Sequence, residues 1–284
     1  MRLSDCARLF SLGAIWGSSF IFMRIISPAL GPVTTAAFRL LVAACALIVY
    51  CVYTRCSLHW QRNWWHYTVV GLLNSALPFL LYAYAALHIP ACYSAVLNAT
   101  SPFFGAFFAY LWLNEKLSKT NILGFVLGIT GVIIFGCVGT LPLTLQVGYA
   151  ALACLISAIT MSIGSIYIKL YVQSTPPVAL ATGSVVVSTA FLLPGVFIMP
   201  PQLPITTTVL LNVCAFGLMC TALAYLLYYR LVADIGPAKA LTVVFLLPVF
   251  GMIWSVIFLG ETVTASMLLG CGIILSGTAL IFKK

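Results

Sequence analysis

Apolar runs of about 20 residues, each closed by a proline, a glycine or a few polar residues, follow one another along almost the whole chain. A helix of about 20 apolar residues crosses a ~30 Å hydrocarbon layer, so each run is long enough to span one. Only 6% of the 284 residues are charged, against roughly a quarter in a soluble domain, which excludes a soluble globular fold. We expect an all-α membrane protein of ten transmembrane helices, at about 5–25, 32–53, 67–87, 91–113, 120–138, 148–170, 177–199, 207–231, 238–259 and 264–282. The opening stretch MRLSDCARLFSLGAIWG resembles a signal peptide in its two arginines. Its apolar run is long, lacks a small-residue cleavage site and leads into further spans, so it reads as a retained first helix.

With the N-terminus inside, Arg2, Arg8, Arg55, Arg62, Lys116, Lys119, Lys169, Arg230, Lys239, Lys283 and Lys284 all fall on the cytoplasmic side. That is eleven of the thirteen basic residues, leaving Arg24 and Arg39. The asymmetry predicts cytoplasmic N- and C-termini. It also gives the net charge of +9 a meaning other than nucleic-acid binding. Cys45, Cys137, Cys154, Cys214, Cys220 and Cys271 lie inside apolar runs, with no CxxC or Cys/His spacing, and read as small core residues, not as metal ligands.

The chain is written twice. Glu115 and Glu261, Gly124 and Gly270, Gly131 and Gly277, Pro102 and Pro248, Gly105 and Gly251, and Gly71 and Gly217 each differ by 146 positions. At a shift of 145, Arg24 matches Lys169 and Pro32-Val33 matches Pro177-Val178. The expected domains are residues 1–140 and 146–284, each with five helices. Five is odd, so the second copy enters the membrane from the opposite side. Such inverted repeats are associated with secondary transporters that bind substrate near the bilayer midplane.

The paired motifs SPFFGAFFAYLWLNEKLSKTNILGFVLGITGVII and LPVFGMIWSVIFLGETVTASMLLGCGIILSGTAL resemble the EamA domain of the drug/metabolite transporter superfamily. So do AIWGSSFIFMRI, AAFRLLVAA and TALAYLLYYRLVADIGPAKA, and the resemblance covers nearly the whole chain. It implies a ten-helix transporter with a cavity lined mainly by spans one, three, four, six, eight and nine. It also implies small organic substrates, such as amino acids, nucleotide-related metabolites or drugs. Asn114 stands where the family motif usually has glycine before the glutamate, a departure expected to affect the turn.

Pro102 and Pro248 fall near the middle of their spans, and each frees the carbonyl four residues earlier, on Asn98 and Val244. Broken helices at membrane depth are where transporters bind substrate. Asn98 and Ser101 add polar side chains there, whereas the second half has Val244 and Leu247, so the polar part of the site should favour the first half. Span three carries Gly71, Asn74, Ser75, Pro78 and Tyr82 at helical spacing, and span six carries Ser157, Thr160, Gly164 and Tyr167. These polar stripes face either neighbouring helices or a cavity. Trp16, Tyr225 and Tyr228 either stack on substrate or pack. The candidate substrate-binding residues are Trp16, Asn74, Tyr82, Asn98, Ser101, Thr160 and Tyr225, with Pro102, Pro248, Glu115, Glu261 and Arg39 structural or gating.

Glu115 and Glu261 lie at membrane edges, where each is expected to cap the N-terminus of the helix that follows. Arg39 is the only basic residue well inside a span, where a charge must be paired or wet: it either attracts a carboxylate or phosphate, snorkels outward or holds helix-end carbonyls, the structural readings being favoured. Asp5, Glu115, Asp234 and Glu261 are the only acids, all expected at interfaces, while His59 and His66 are placed in a cytoplasmic loop. Without a midplane carboxylate, the expected mode is facilitated diffusion or exchange, and without a Walker loop ATP is not the fuel. No cofactor is expected. Export of an amino acid or related metabolite across the bacterial inner membrane is the leading expectation, with import or exchange of a nucleotide-like metabolite such as S-adenosylmethionine as the alternative. An enzyme would need motifs such as HExxH or GxSxG, which the chain lacks. A channel would need a polar lining that the second half does not supply. The partners expected are a small-molecule substrate and the lipid bilayer, with the protein a monomer or homodimer.

Overall fold

The computed structural model describes residues 3–114, 118–137 and 144–282. Every regular element among them is helical. Helix α1 runs Leu3–Tyr53 and is two helices joined at a kink, where Gly31 alone leaves helical geometry with φ 75° and ψ 165°. Only glycine takes that conformation readily. Helix α2 spans Trp60–His88, α3 is Ala91–Asn98, α4 is Ser101–Leu113 and α5 is Lys119–Cys137. Then come α6 at Leu145–Tyr171, α7 at Pro177–Ile198 and α8 at Thr207–Ile235. Helices α9, Pro237–Ala240, α10, Val243–Leu259, and α11, Ala265–Phe282, complete the chain. Among the described residues, seven helical segments are long and apolar enough to cross a membrane, counting α1 once and α3–α4 together. Two shorter apolar helices accompany them. The protein is an all-helical, multi-pass membrane protein.

Close helix contact in lipid depends on small residues, because the lipid tails supply no hydrophobic drive between helices. Helices α5 and α11 show this most clearly. A methyl group on Gly131 would lie 2.9 Å from the carbonyl oxygen of Gly270, and one on Gly270 would lie 2.9 Å from that of Gly131. Gly124 faces Gly277 farther along, so the two helices cross antiparallel. Gly71 of α2 sits against the backbone of Ser184 in α7, while Gly217 of α8 sits against the backbone of Arg39 in α1.

Features recur at the 146-residue offset. Leu72–Ala76 inside α2 and Leu218–Leu223 inside α8 are both π-helical. Asn114 and Gly260 both end their helices in the left-handed conformation, with φ 53° and φ 63°. Asn114 therefore keeps the turn, since asparagine is among the non-glycine residues that tolerate this geometry. Ser118 Oγ accepts the Asn121 N–H at 3.2 Å, and Thr264 Oγ1 accepts the Met267 N–H at 3.3 Å, the same N-cap in each half.

Candidate functional site

Between α3 and α4 the helix breaks at Ala99 and Thr100, three residues ahead of Pro102 at most. Pro102 has no N–H to offer the Asn98 carbonyl, and the Ser101 hydroxyl donates to it instead at 2.7 Å. Thr100 Oγ1 donates to the Leu97 carbonyl at 2.6 Å. These local bonds hold the break open at low cost and leave the Asn98 side chain half-buried beside it.

The Asn98 amide oxygen accepts the Tyr82 hydroxyl at 2.7 Å and lies 3.4 Å from Ser101 Oγ. Its amide nitrogen donates to no described residue. Tyr82 is buried and meets the edge of Phe20 from α1, ring centroids 5.5 Å apart. Ser162 of α6 donates to the Ser101 carbonyl at 2.9 Å, which ties α6 to the break. Three sequence-predicted residues, Tyr82, Asn98 and Ser101, thus form one network drawn from α2, α3 and α4.

The two polar stripes of α2 and α6 face each other. Ser157 Oγ donates to the Pro78 carbonyl at 3.3 Å, Asn74 abuts Gly164, and the His66 ring lies 2.9 Å from the Tyr167 hydroxyl. A methyl on Gly164 would stand 2.2 Å from the Asn74 amide oxygen, so glycine is required for this approach. That buried oxygen has no hydrogen-bond partner among the described residues. Thr160 lies in the same seam and bonds back to the Ser157 carbonyl at 3.0 Å. His66 belongs to helix α2 and not to the loop expected for it, because α2 begins at Trp60.

Trp16 and Tyr228 pair with ring centroids 5.5 Å apart, joining α1 to α8. Tyr225, one turn before Tyr228, packs against the cluster that holds Phe79 and Ala222. Pro248 is buried within α10, next to a close contact in which a methyl on Gly17 would lie 3.2 Å from the Leu247 carbonyl. A cavity of about 530 Å³ lies at the α1 kink, lined by Leu30, Pro32, Tyr84, Met199 and Gln202 among others. None of the seven candidate substrate-binding residues lines it.

The Glu261 carboxylate accepts the Ala91 N–H at 2.8 Å and the Cys92 N–H at 3.2 Å. It therefore caps α3, whose N-cap is a proline with no side-chain bond to give, and not the helix after it in sequence. The preceding Gly260 closes α10 with the Gly260 N–H on Val256 and the Glu261 N–H on Ser255. The bond from the left-handed Gly260 to Val256 is that of an αL turn, and it aims the glutamate at α3. Glu115 lies outside the described residues.

Arg39 is 3% exposed. Its guanidinium is clamped between the faces of Phe79, 3.6 Å away, and Phe216, 4.3 Å away. Nε donates to Thr221 at 2.8 Å and Nη2 to the Cys220 carbonyl at 3.4 Å, both within the π-helical stretch of α8. Nη1 is buried without a partner among the described residues. Each aromatic face contributes about 0.5–2 kcal/mol, less than the several kcal/mol lost by taking a cation out of water.

Matches to known proteins follow this architecture. The model of the EamA-like transporter family matches twice, over residues 7–137 and 148–283. The chain belongs to the EamA-like transporter family. Similar proteins include the uncharacterized transporter YvbV of Bacillus subtilis, 24% identical over 95% of this chain and 88% of that one. The uncharacterized inner membrane transporter YedA of Escherichia coli K12 is 26% identical over 96% of this chain and 89% of its own. Protein PecM of Dickeya dadantii is 22% identical over 99% and 92%. A protein of known crystal structure shares the fold at a TM-score of 0.71, with 17% identity and 99% of this chain covered. This EamA-like chain is accordingly a membrane transporter.

Proposed function

We propose that the protein is a secondary carrier of ten spans, built as two inverted five-helix halves, that moves a small organic solute by alternating access. The kink that splits α1 at Gly31 and the two short apolar helices beside the seven longer segments support the count of ten. The reciprocal glycine contacts of α5 and α11, and the matching pair Gly71–Ser184 and Gly217–Arg39, are the contacts two halves related by a two-fold axis make. The halves follow residues 1–140 and 146–284. The distribution of basic residues supports cytoplasmic termini, and the inner-membrane name of YedA supports the same membrane here.

The observation that carries the reading is the helix break at Ala99–Thr100 with the Tyr82–Asn98–Ser101 network beside it. Non-helical backbone at membrane depth is tolerated where it lines a cavity or lies in protein, and here it coincides with a half-buried amide that still has donors to offer. Amino acids and related metabolites, moved outward, are the leading substrates. Counterflow in proteoliposomes tests the mechanism: internal substrate accelerates uptake of labelled substrate through a carrier, and N98A abolishes this. Uptake indifferent to internal substrate would mean a channel.

A further inference from the structure

Arg39 is the only basic residue among the described residues that is buried, and the Tyr82–Asn98–Ser101 network makes no use of it. The faces of its guanidinium are covered by Phe79 and Phe216, and Nε and Nη2 are taken by Thr221 and Cys220. Of its five N–H donors, both at Nη1 are without a partner among the described residues. Thr35 Oγ1 is a second, independent vacancy: it too is buried without a partner among them. The two residues are four apart on one helix and share a face, so they stand one turn apart along it.

Both can donate, and a guanidinium can only donate, so the group that satisfies them is an acceptor and preferably an anion. The protein's described carboxylates are engaged elsewhere. Asp5 and Asp234 pair with Arg8, and Glu261 caps α3. Phe79, which covers Arg39, and Tyr82, which bonds Asn98, are three apart on α2 and share a face, about 4.5 Å apart along the helix. A small solute with a carboxylate at one end and a second polar group at the other matches the two neighbouring polar groups that this face of α2 brings together.

We propose that Arg39 and Thr35 bind the carboxylate of the transported solute, which makes the substrate class small organic carboxylates, amino acids among them. The inference rests on the reading of the protein as a carrier with its polar seam at Asn98. Thermal unfolding of the purified full-length protein tests it, using L-amino acids, each paired with its carboxamide, and chloride alone as a third arm. The acids raise the melting temperature by mass action, and the carboxamides need at least about tenfold higher concentration for the same shift, since they leave the buried cation without its counter-charge. In R39M the preference for acid over carboxamide disappears. T35V keeps the charge and the aromatic clamp, and narrows the preference severalfold; R39Q, which removes the charge but keeps a polar side chain, serves if R39M fails to fold, with the same loss of preference expected. Equal response to acid and carboxamide, no response to any acid up to about 10 mM, or a response reproduced by chloride alone each overturns the proposal. N98A weakens acids and carboxamides alike. If N98A has no effect while R39M abolishes the preference, the seam at Asn98 fails and the carboxylate site stands.

Discussion

The backbones of Gly124 and Gly277 touch, and they touch reciprocally. A methyl group on Gly277 would stand 2.7 Å from the Gly124 carbonyl oxygen, and one on Gly124 would stand 2.8 Å from that of Gly277. Gly272, on the same helix as Gly277, meets nothing within 4 Å. G277V and G124V therefore each destabilise by about 1–3 kcal/mol through overpacking. G272A is neutral or stabilises by about 0.5–1 kcal/mol, because alanine favours a helix over glycine. Unfolding by denaturant titration in detergent separates the three variants.

Removing the Asn98 side chain takes away the acceptor of Tyr82 and the free amide at the helix break. N98A is expected to lower transport by at least about tenfold, the cost of leaving one polar contact to solute unmade. Y82F removes one hydroxyl from a network that Ser101 still supports, so the expected loss is only severalfold. Uptake into proteoliposomes, with stability checked in parallel, distinguishes loss of binding from loss of fold.

Glu261 supplies two acceptors to the start of α3. E261A is expected to cost about 1–2 kcal/mol, the loss of an N-cap together with its favourable charge on the helix dipole. E261Q keeps one carbonyl acceptor and loses less. Amide exchange at Ala91 and Cys92 reads the effect locally, and an unchanged exchange rate in E261A would mean the cap contributes nothing.

Arg8 of α1 forms an ion pair with Asp234 of α8, which Arg230 also reaches at 3.3 Å. The Arg8 and Asp234 side chains are each about one-third exposed, 33% and 32%. Such a pair contributes about 0.2–1 kcal/mol and is screened by salt. D234N therefore lowers stability slightly at low salt, and the difference from the parent fades towards 1 M salt. A difference that persists at high salt would point to packing instead.

Much of this architecture is legible in the sequence for definite physical reasons. Membrane thickness fixes the length of apolar runs, and close helix contact fixes Gly124, Gly131, Gly270 and Gly277, so spacing alone exposes the duplication. Pro102 announces the break at Ala99–Thr100 because it cannot donate to Asn98. What spacing does not reveal is which distant helix a side chain meets. The target of Glu261 is 170 residues away, and the Arg39 clamp draws on α2 and α8. The polar stripes of α2 and α6 were equally consistent with a cavity, and only the fold sets Ser157 against Pro78 and Asn74 against Gly164. Thr35 gave no signal at all, since a lone threonine in an apolar run is ordinary until its hydroxyl is found without a partner among the described residues.

The opposed orientation of the two halves carries the whole account, and cysteine labelling tests it most directly. Ser118 and Thr262 are both exposed and follow the ends of α4 and α10. In a background with the ten native cysteines replaced, a membrane-impermeant maleimide applied to intact cells should label T262C at once and S118C only after the membrane is permeabilised. Labelling of both from the same side would contradict the inverted arrangement, and the carrier reading with it.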